Sequence, residues 1–263
     1  MQIGTYARTN EQVFRGIESE PDFIELRMDV NHQIVFNEAK TALNKAGIPC
    51  TLHLPSDQNW KPSELSEDIV PYIDLAQMID AKLVTFHSSL SSLLYSDKEI
   101  DTFLQALPLA YDTAKESGVT LAIETLGLYY AEMLMVLDEF PDLKIDLDIG
   151  HGQLLASRNR ALAHIEHYCQ NIGMVNVHDN NACEGFAGIL ESKKMNEFTQ
   201  EELRKMAKIC DKHLPIGDGS IEFSPIFAAL KQRNYDGRFL MLCSDPLYFS
   251  KERDKFTDLW VKS

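Results

Sequence analysis

The feature that most limits what this chain can become is a repeated alternation between two hydrophobic periods. Short apolar or β-branched runs recur at MQIGTYA (1–7), FIELRMD (23–29), PCTLHLP (49–55) and KLVTFHS (82–88). They continue at VTLAIET (119–125), LKIDLDIGH (143–151), GMVNVHD (173–179) and FLMLCSD (239–245). Between most of them lie stretches with helical spacing, among them FNEAKTALNKAG (36–47), IVPYIDLAQMIDA (69–81), FLQALPLAYDTAKESG (103–118) and NRALAHIEHYCQNIG (159–173). Near-continuous apolar runs suit strands buried on both faces, and the longer segments suit helices laid over them. Gly47, Gly118 and Gly173 close three helical segments, where a helix C-cap is expected.

Eight strands alternating with helices over 263 residues predict a single (β/α)8 TIM barrel spanning residues 1–263. An open doubly wound sheet is the rival. No G-x-G-x-x-G follows the first strand, so the dinucleotide-binding form of that rival has little support. The longest interruption lies between the seventh and eighth strands, from about 180 to 238, and holds NNACEGFAGILESKKM, an expected helix at TQEELRKMAKIC (199–210) and the stretch DKHLPIGDGS (211–220). An insertion of that length beyond a strand's C-terminal end predicts a lid or a wall of the site.

Polar residues collect where barrel strands end: His53 in TLHLP, His87 in VTFHSS, Glu124 in AIETLG, Asp148 and His151 in DLDIGH, His178 and Asp179 in VNVHDN. The insertion adds Asp211 and His213. Pro215 is read as stopping the preceding helix, and Gly217 and Gly219 as freeing a turn. In an extended segment Asp211 and His213 point to one side and form a chelating pair. Five of the eight histidines fall in this set, and His32, His164 and His167 remain outside it. Taken singly, each residue has an ordinary explanation: a hydrogen-bonded core histidine, a Glu124–Lys pair, Asp148 capping the next helix. A barrel, however, brings all of these strand ends to one mouth. Imidazoles with several carboxylates and no thiolates are a ligand set for zinc, manganese or iron.

The ordered series resembles the xylose-isomerase-like TIM-barrel superfamily, which includes sugar-phosphate isomerases and epimerases and the endonuclease IV family. IELR with Glu25, then His53, His87, IET with Glu124, DIGH, VHD and DKHLPIGDGSIEF follow that superfamily's order over nearly the whole chain. The endonuclease IV branch implies three zinc ions: one on His53, His87 and Glu124, a second on Glu124, Asp148 and His178, a third on His151, Asp211 and His213. The isomerase and epimerase branch implies one ion, with Glu124 moving protons beside a carbonyl. Both branches place a Glu on the eighth strand, where this chain has Cys243, whose thiolate can bind zinc, with Asp245 two residues on; these two are the replacement-ligand candidates. Glu25, Arg27 and Asp179 are expected on the substrate side, although an ion-paired Arg27 is an equal reading.

Composition bears on what the mouth would take. Forty acidic against 25 basic residues give a net charge of −15, which speaks against nucleic acid as the main partner and suits a small molecule. The five cysteines are scattered, odd in number and never C-x-x-C, so reduced thiols and a cytoplasmic setting are expected. No apolar run approaches a membrane span, and the first residues lack a signal-peptide pattern. A homo-oligomer is compatible with the sequence, although a closed barrel has no sheet edge to drive it. The leading expectation is a metal-dependent isomerase or epimerase of a small sugar, sugar phosphate or polyol, using one to three zinc or manganese ions. The alternatives are a multinuclear zinc phosphoesterase and a barrel whose catalysis is lost with the eighth-strand Glu.

Overall fold

A computed structural model describes residues 1–29, 31–56, 69–181 and 197–263. Eight parallel strands form a closed barrel in sequence order. They are β1 Gln2–Ala7, β2 Ile24–Arg27, β3 Cys50–His53, β4 Leu83–His87, β5 Thr120–Glu124, β6 Lys144–Asp148, β7 Ile172–Val177 and β8 Arg238–Met241. The ring shuts where Gln2, Ile3 and Gly4 pair with Arg238, Phe239 and Leu240. The expected (β/α)8 barrel is therefore the observed one.

The helices among the described residues are α1 Asn10–Glu18, α2 Phe36–Ala46, α3 Val70–Met78, α4 Asp97–Glu116, α5 Tyr130–Leu137, α6 Ile149–Gln153, α7 Ala161–Tyr168, α8 Gln200–Cys210, α9 Phe223–Gln232 and α10 Phe249–Lys262. Their starts follow local chemistry. Thr9 accepts the Gln12 N–H ahead of α1, and Glu99 and Glu202 reach back to the Ser96 and Thr199 N–H groups ahead of α4 and α8. Gly47 and Gly118 take the left-handed conformation expected of them. Gly173 does not: it lies inside β7, because the helix before it ends at Tyr168 and a short 3-10 turn leads into the strand. Nor does Pro215 stop α8, which already ends at Cys210.

One large apolar layer lies between strands and helices, and a smaller cluster of Tyr6, Phe23, Leu83, Ala122, Met174, Leu240 and Leu242 forms apart from it. Strand parity divides the two. Above the small cluster the barrel's polar residues begin. No helix of the described residues is long and apolar enough to cross a membrane.

The insertion between β7 and β8 carries α8, whose Arg204 donates to the Leu94 carbonyl at 2.5 Å and lies over the Tyr95 ring, beyond the end of β4. Most of NNACEGFAGILESKKM lies outside the described residues. Cys50, Cys169 and Cys243 are free thiols, but Cys210 is disulfide-bonded. That departs from the expectation of reduced thiols throughout. Scatter and an odd count do not forbid one pair, since a disulfide needs only two suitably placed Cβ atoms.

Candidate metal centre

The centre is built around Glu124, the fully buried last residue of β5. His53 Nε2 lies 3.1 Å from its Oε2, while His87 Nε2 and His151 Nδ1 lie 2.8 Å and 2.7 Å from its Oε1. Barrel register makes this convergence inevitable: His87 pairs directly with Glu124, and His53 stands beside Thr85 on the neighbouring strand. Asp148 ends β6 and caps α6, accepting the His151 N–H at 2.7 Å. The capping role foreseen as an ordinary explanation is thus real, and it also turns His151 toward the mouth. The other partner of Asp148 Oδ1 is His178 Nε2, at 2.9 Å.

Asp211 and His213 come from the insertion. Asp211 has the expected extended backbone, whereas His213 has φ 45°, in the left-handed region. Even so, the two side chains meet, with His213 Nε2 3.1 Å from Asp211 Oδ2. The same oxygen lies 3.3 Å from His151 Nε2, and the His213 ring stacks on His178 with centroids 3.9 Å apart.

Two ring nitrogens reveal how the centre is poised. His53 Nδ1 lies 2.8 Å from the Leu54 carbonyl and His213 Nδ1 2.9 Å from that of Leu242. A carbonyl only accepts, so both Nδ1 atoms carry protons and present Nε2 to a carboxylate. A neutral imidazole would then aim a lone pair at an anion. A proton or a cation must sit between them. Potential ligand atoms gather within 4.8 Å in three overlapping groups: His53, His87 and Glu124; Glu124, Asp148 and His151; and His151, His178, Asp211 and His213. All eight expected ligands are in these groups, and the donor set fits zinc or manganese. His178 keeps company with Asp211 and His213 as well as Asp148, and His151 is shared.

Burial opposes ionisation of Glu124, but the His87 and His151 imidazoles hold it well below the usual carboxylate range. Burial likewise opposes, and His213 and His151 outweigh it, at Asp211. His151 is raised well above an ordinary histidine against its burial by Asp148, Asp211 and Glu124, while burial lowers His87 and His178.

The remaining expected residues stand outside these three groups. Arg27 is buried between Glu25, at 2.9 Å, and Asp29, at 3.1 Å, which is the ion-paired reading. Asp179 spends both carboxylate oxygens on backbone N–H groups. Cys243 follows Leu242, the residue that joins the small cluster with Leu240, and so has the opposite parity. Its thiol donates to the Asp245 carbonyl at 3.4 Å, and burial pushes it up to about 11. Asp245 caps the 3-10 turn Pro246–Tyr248. Neither is in a ligand group among the described residues. Sequence reasoning missed Asp146, Asn176 and Asn180. Asn176 donates to both Asp146 and Asp148, at 3.1 Å and 3.3 Å, and Asn180 donates to Asp211 at 3.2 Å. Their signal was parity: Asp146 and Asn176 stand two residues before Asp148 and His178.

The model of the family described as xylose isomerase-like TIM barrel matches residues 11–255. The chain belongs to that family. Uncharacterized protein MJ1311 of Methanocaldococcus jannaschii is 24% identical over 200 residues, 70% of this chain and 58% of its own length. The chain therefore spans little more than half of that relative. Among solved structures, a D-tagatose 3-epimerase-like protein superposes with TM-score 0.73 at 19% identity, covering 98% of this chain and 97% of that one. The IOLI protein with a bound zinc atom gives 0.72 at 14% identity, covering 100% and 99%. At such identities the likeness shows the shared fold.

Proposed function

We propose that the protein is a divalent-metal-dependent enzyme of a small sugar phosphate or polyol phosphate, that it holds more than one ion, and that it hydrolyses a phosphoester. His151 carries this reading. Its Nδ1 lies 2.7 Å from Glu124 and its Nε2 3.3 Å from Asp211, so one imidazole joins the β5 group to the insertion group. Shared members make a mononuclear arrangement wasteful of ligands. Zinc or manganese held there would supply an activated water and neutralise charge on a phosphoryl group. His53 and His213, anchored through Nδ1, orient their donor nitrogens, and Asp148 fixes His151 through its N–H. The charge of −15 favours a small ester over a polynucleotide.

A second reading, isomerisation or epimerisation of a small sugar, is favoured by Glu124 itself. This fully buried carboxylate stands where it could move a proton at a carbon beside a carbonyl. Leu242, the residue after β8, joins the inner apolar cluster where a carboxylate would be needed, which leaves two-base epimerisation without its second base. Shuttling a proton between adjacent carbons needs only one carboxylate.

The two readings separate in one set of measurements on protein purified without chelators. Ion content is counted, and sugar phosphates are incubated in deuterated water. More than one ion per chain with release of inorganic phosphate is expected. A single ion, with carbon-bound deuterium and no phosphate release, would replace the first reading by the second. Protein with no ion and no metal-induced thermal shift would sink both.

A further inference from the structure

We infer that Asp179 and Asn180 are positioning residues that set the Asp211–His213 arm in ligating geometry before any ion arrives, an inference that rests on the multinuclear reading above. The buried Asp179 carboxylate accepts four backbone N–H bonds. Its Oδ1 takes Asn180 at 2.9 Å and Ile221 at 3.1 Å, and its Oδ2 takes Gly217 at 3.0 Å and Gly219 at 3.1 Å. The limb that returns from the arm is therefore wrapped around one side chain. A Cβ on Gly219 would come 2.3 Å from Asp179 Oδ1, so only glycine lets the limb close. Main-chain bonds of 2.8 Å and 2.7 Å also pair Asp179 with Leu214 in both directions.

Asn180 fixes the arm itself. Its Oδ1 accepts the N–H groups of Lys212 at 2.7 Å and His213 at 3.2 Å. Its Nδ2 donates to Asp211 Oδ1 at 3.2 Å and to the Gly150 carbonyl at 3.1 Å. Gly150 immediately precedes His151, so one amide spans the two segments that carry His151 and Asp211. Asp211 Oδ1 is thereby engaged, and Oδ2 faces His151 and His213. The left-handed His213 backbone is a conformation that persists only where its surroundings over-determine it, and Asn180 supplies that constraint.

Asn180→Asp keeps the acceptor for Lys212 and His213, removes both Nδ2 donations and sets a carboxylate against Asp211. The full chain, N180D and H213Q are compared by ion content, zinc titration calorimetry and thermal melting of the chelated proteins. N180D is expected to weaken, by about 10–100-fold, the same ion that H213Q removes, with the other ions unchanged, whatever the two lost bonds cost the chelated melting temperature. A merely structural role would lower that melting temperature but spare the affinity, and would overturn the inference. So would N180D binding every ion as tightly as the parent while H213Q loses one. If H213Q also binds like the parent, the multinuclear reading fails as well. Should N180D not fold, hydrogen exchange of the chelated parent decides. Protected Lys212, His213, Gly217 and Gly219 amides support prior positioning, and exchange at unstructured rates overturns it.

Discussion

Two buried polar assemblies share one barrel, and they close their charge in opposite ways. Beside β2, Arg27 lies between Glu25 and Asp29, and Arg8 completes the set at 2.7 Å from Asp29. Permanent cations answer the carboxylates there. Burial works against both ions, yet Glu25 and Asp29 raise Arg27, and Arg27 and Arg8 lower Asp29. Across the mouth, Glu124, Asp148 and Asp211 bond to imidazoles, and among the described residues no lysine or arginine bonds to any of them. The two sets therefore differ in what completes them. The first assembly is finished by its own residues, while the second needs protons or metal ions to be neutral.

The sharpest way to break that contrast is Glu124→Gln, measured with and without metal. In the loaded protein it removes a ligand shared by two groups. The expected result is loss of those ions together with most of their contribution to stability, which for tightly held zinc is on the order of 10 kcal/mol. In chelated protein the same substitution is expected to cost less, because Gln is cheaper to bury than a carboxylate while the imidazoles around it lose one counter-charge. Equal melting shifts in both states would show that Glu124 is structural.

Arg27→Met should behave the other way. It strands Glu25 and Asp29, and removing one partner of a buried pair costs about 3–5 kcal/mol. Denaturant titration should give that loss with and without chelator, and ion content should not change. Cys243→Glu belongs with this second kind of change. It puts a carboxylate at a buried position outside the ligand groups, near Glu252, so lower stability without an added ion is expected. Leu242→Glu, on the inward side, is the substitution that would add a carboxylate to the mouth.

The strand-8 contrast also marks where sequence was legible. The β/α alternation and the ordered histidines could be read because register and parity are local properties of short strands. His53, His87, Glu124 and Asp148 each sit at the last residue of a strand, where such reading is strongest. Cys243 was matched by its place in a motif, yet β8 ends at Met241 and parity turns Leu242 inward. Asn180 was invisible because its four side-chain bonds go to main-chain groups and Asp211 across long sequence gaps. The left-handed His213 was missed for the same reason: it depends on which distant segments the insertion meets.

A histidine outside the centre gives a smaller, cleaner contrast. His164 is buried, its Nε2 3.1 Å from the Leu128 carbonyl, and burial lowers it to about 4. Its folded value lies below its unfolded one, so the unfolded chain takes up the proton first. Stability is full above about pH 6.5 and declines toward pH 4, by roughly 3 kcal/mol. His164→Gln should flatten that part of the pH profile of unfolding.

His151 and His213 shift in the opposite sense, and this gives the smallest expected effect. Both are raised by carboxylates, Asp148 and Asp211 first among them, although burial opposes the charge. In metal-free protein each imidazolium therefore persists above the pH at which a free histidine loses its proton. An ion must displace those protons to bind. Affinity should fall by up to about tenfold for each unit that the pH is lowered and each proton displaced, and the protons should appear in solution. Zinc titrations in buffers of different ionisation enthalpy would measure the number released near neutral pH. Release that disappears in H213Q would place one proton on the insertion arm. Zinc binding without proton release would mean that these two histidines are already neutral, and that the second assembly resembles the first more closely than its geometry implies.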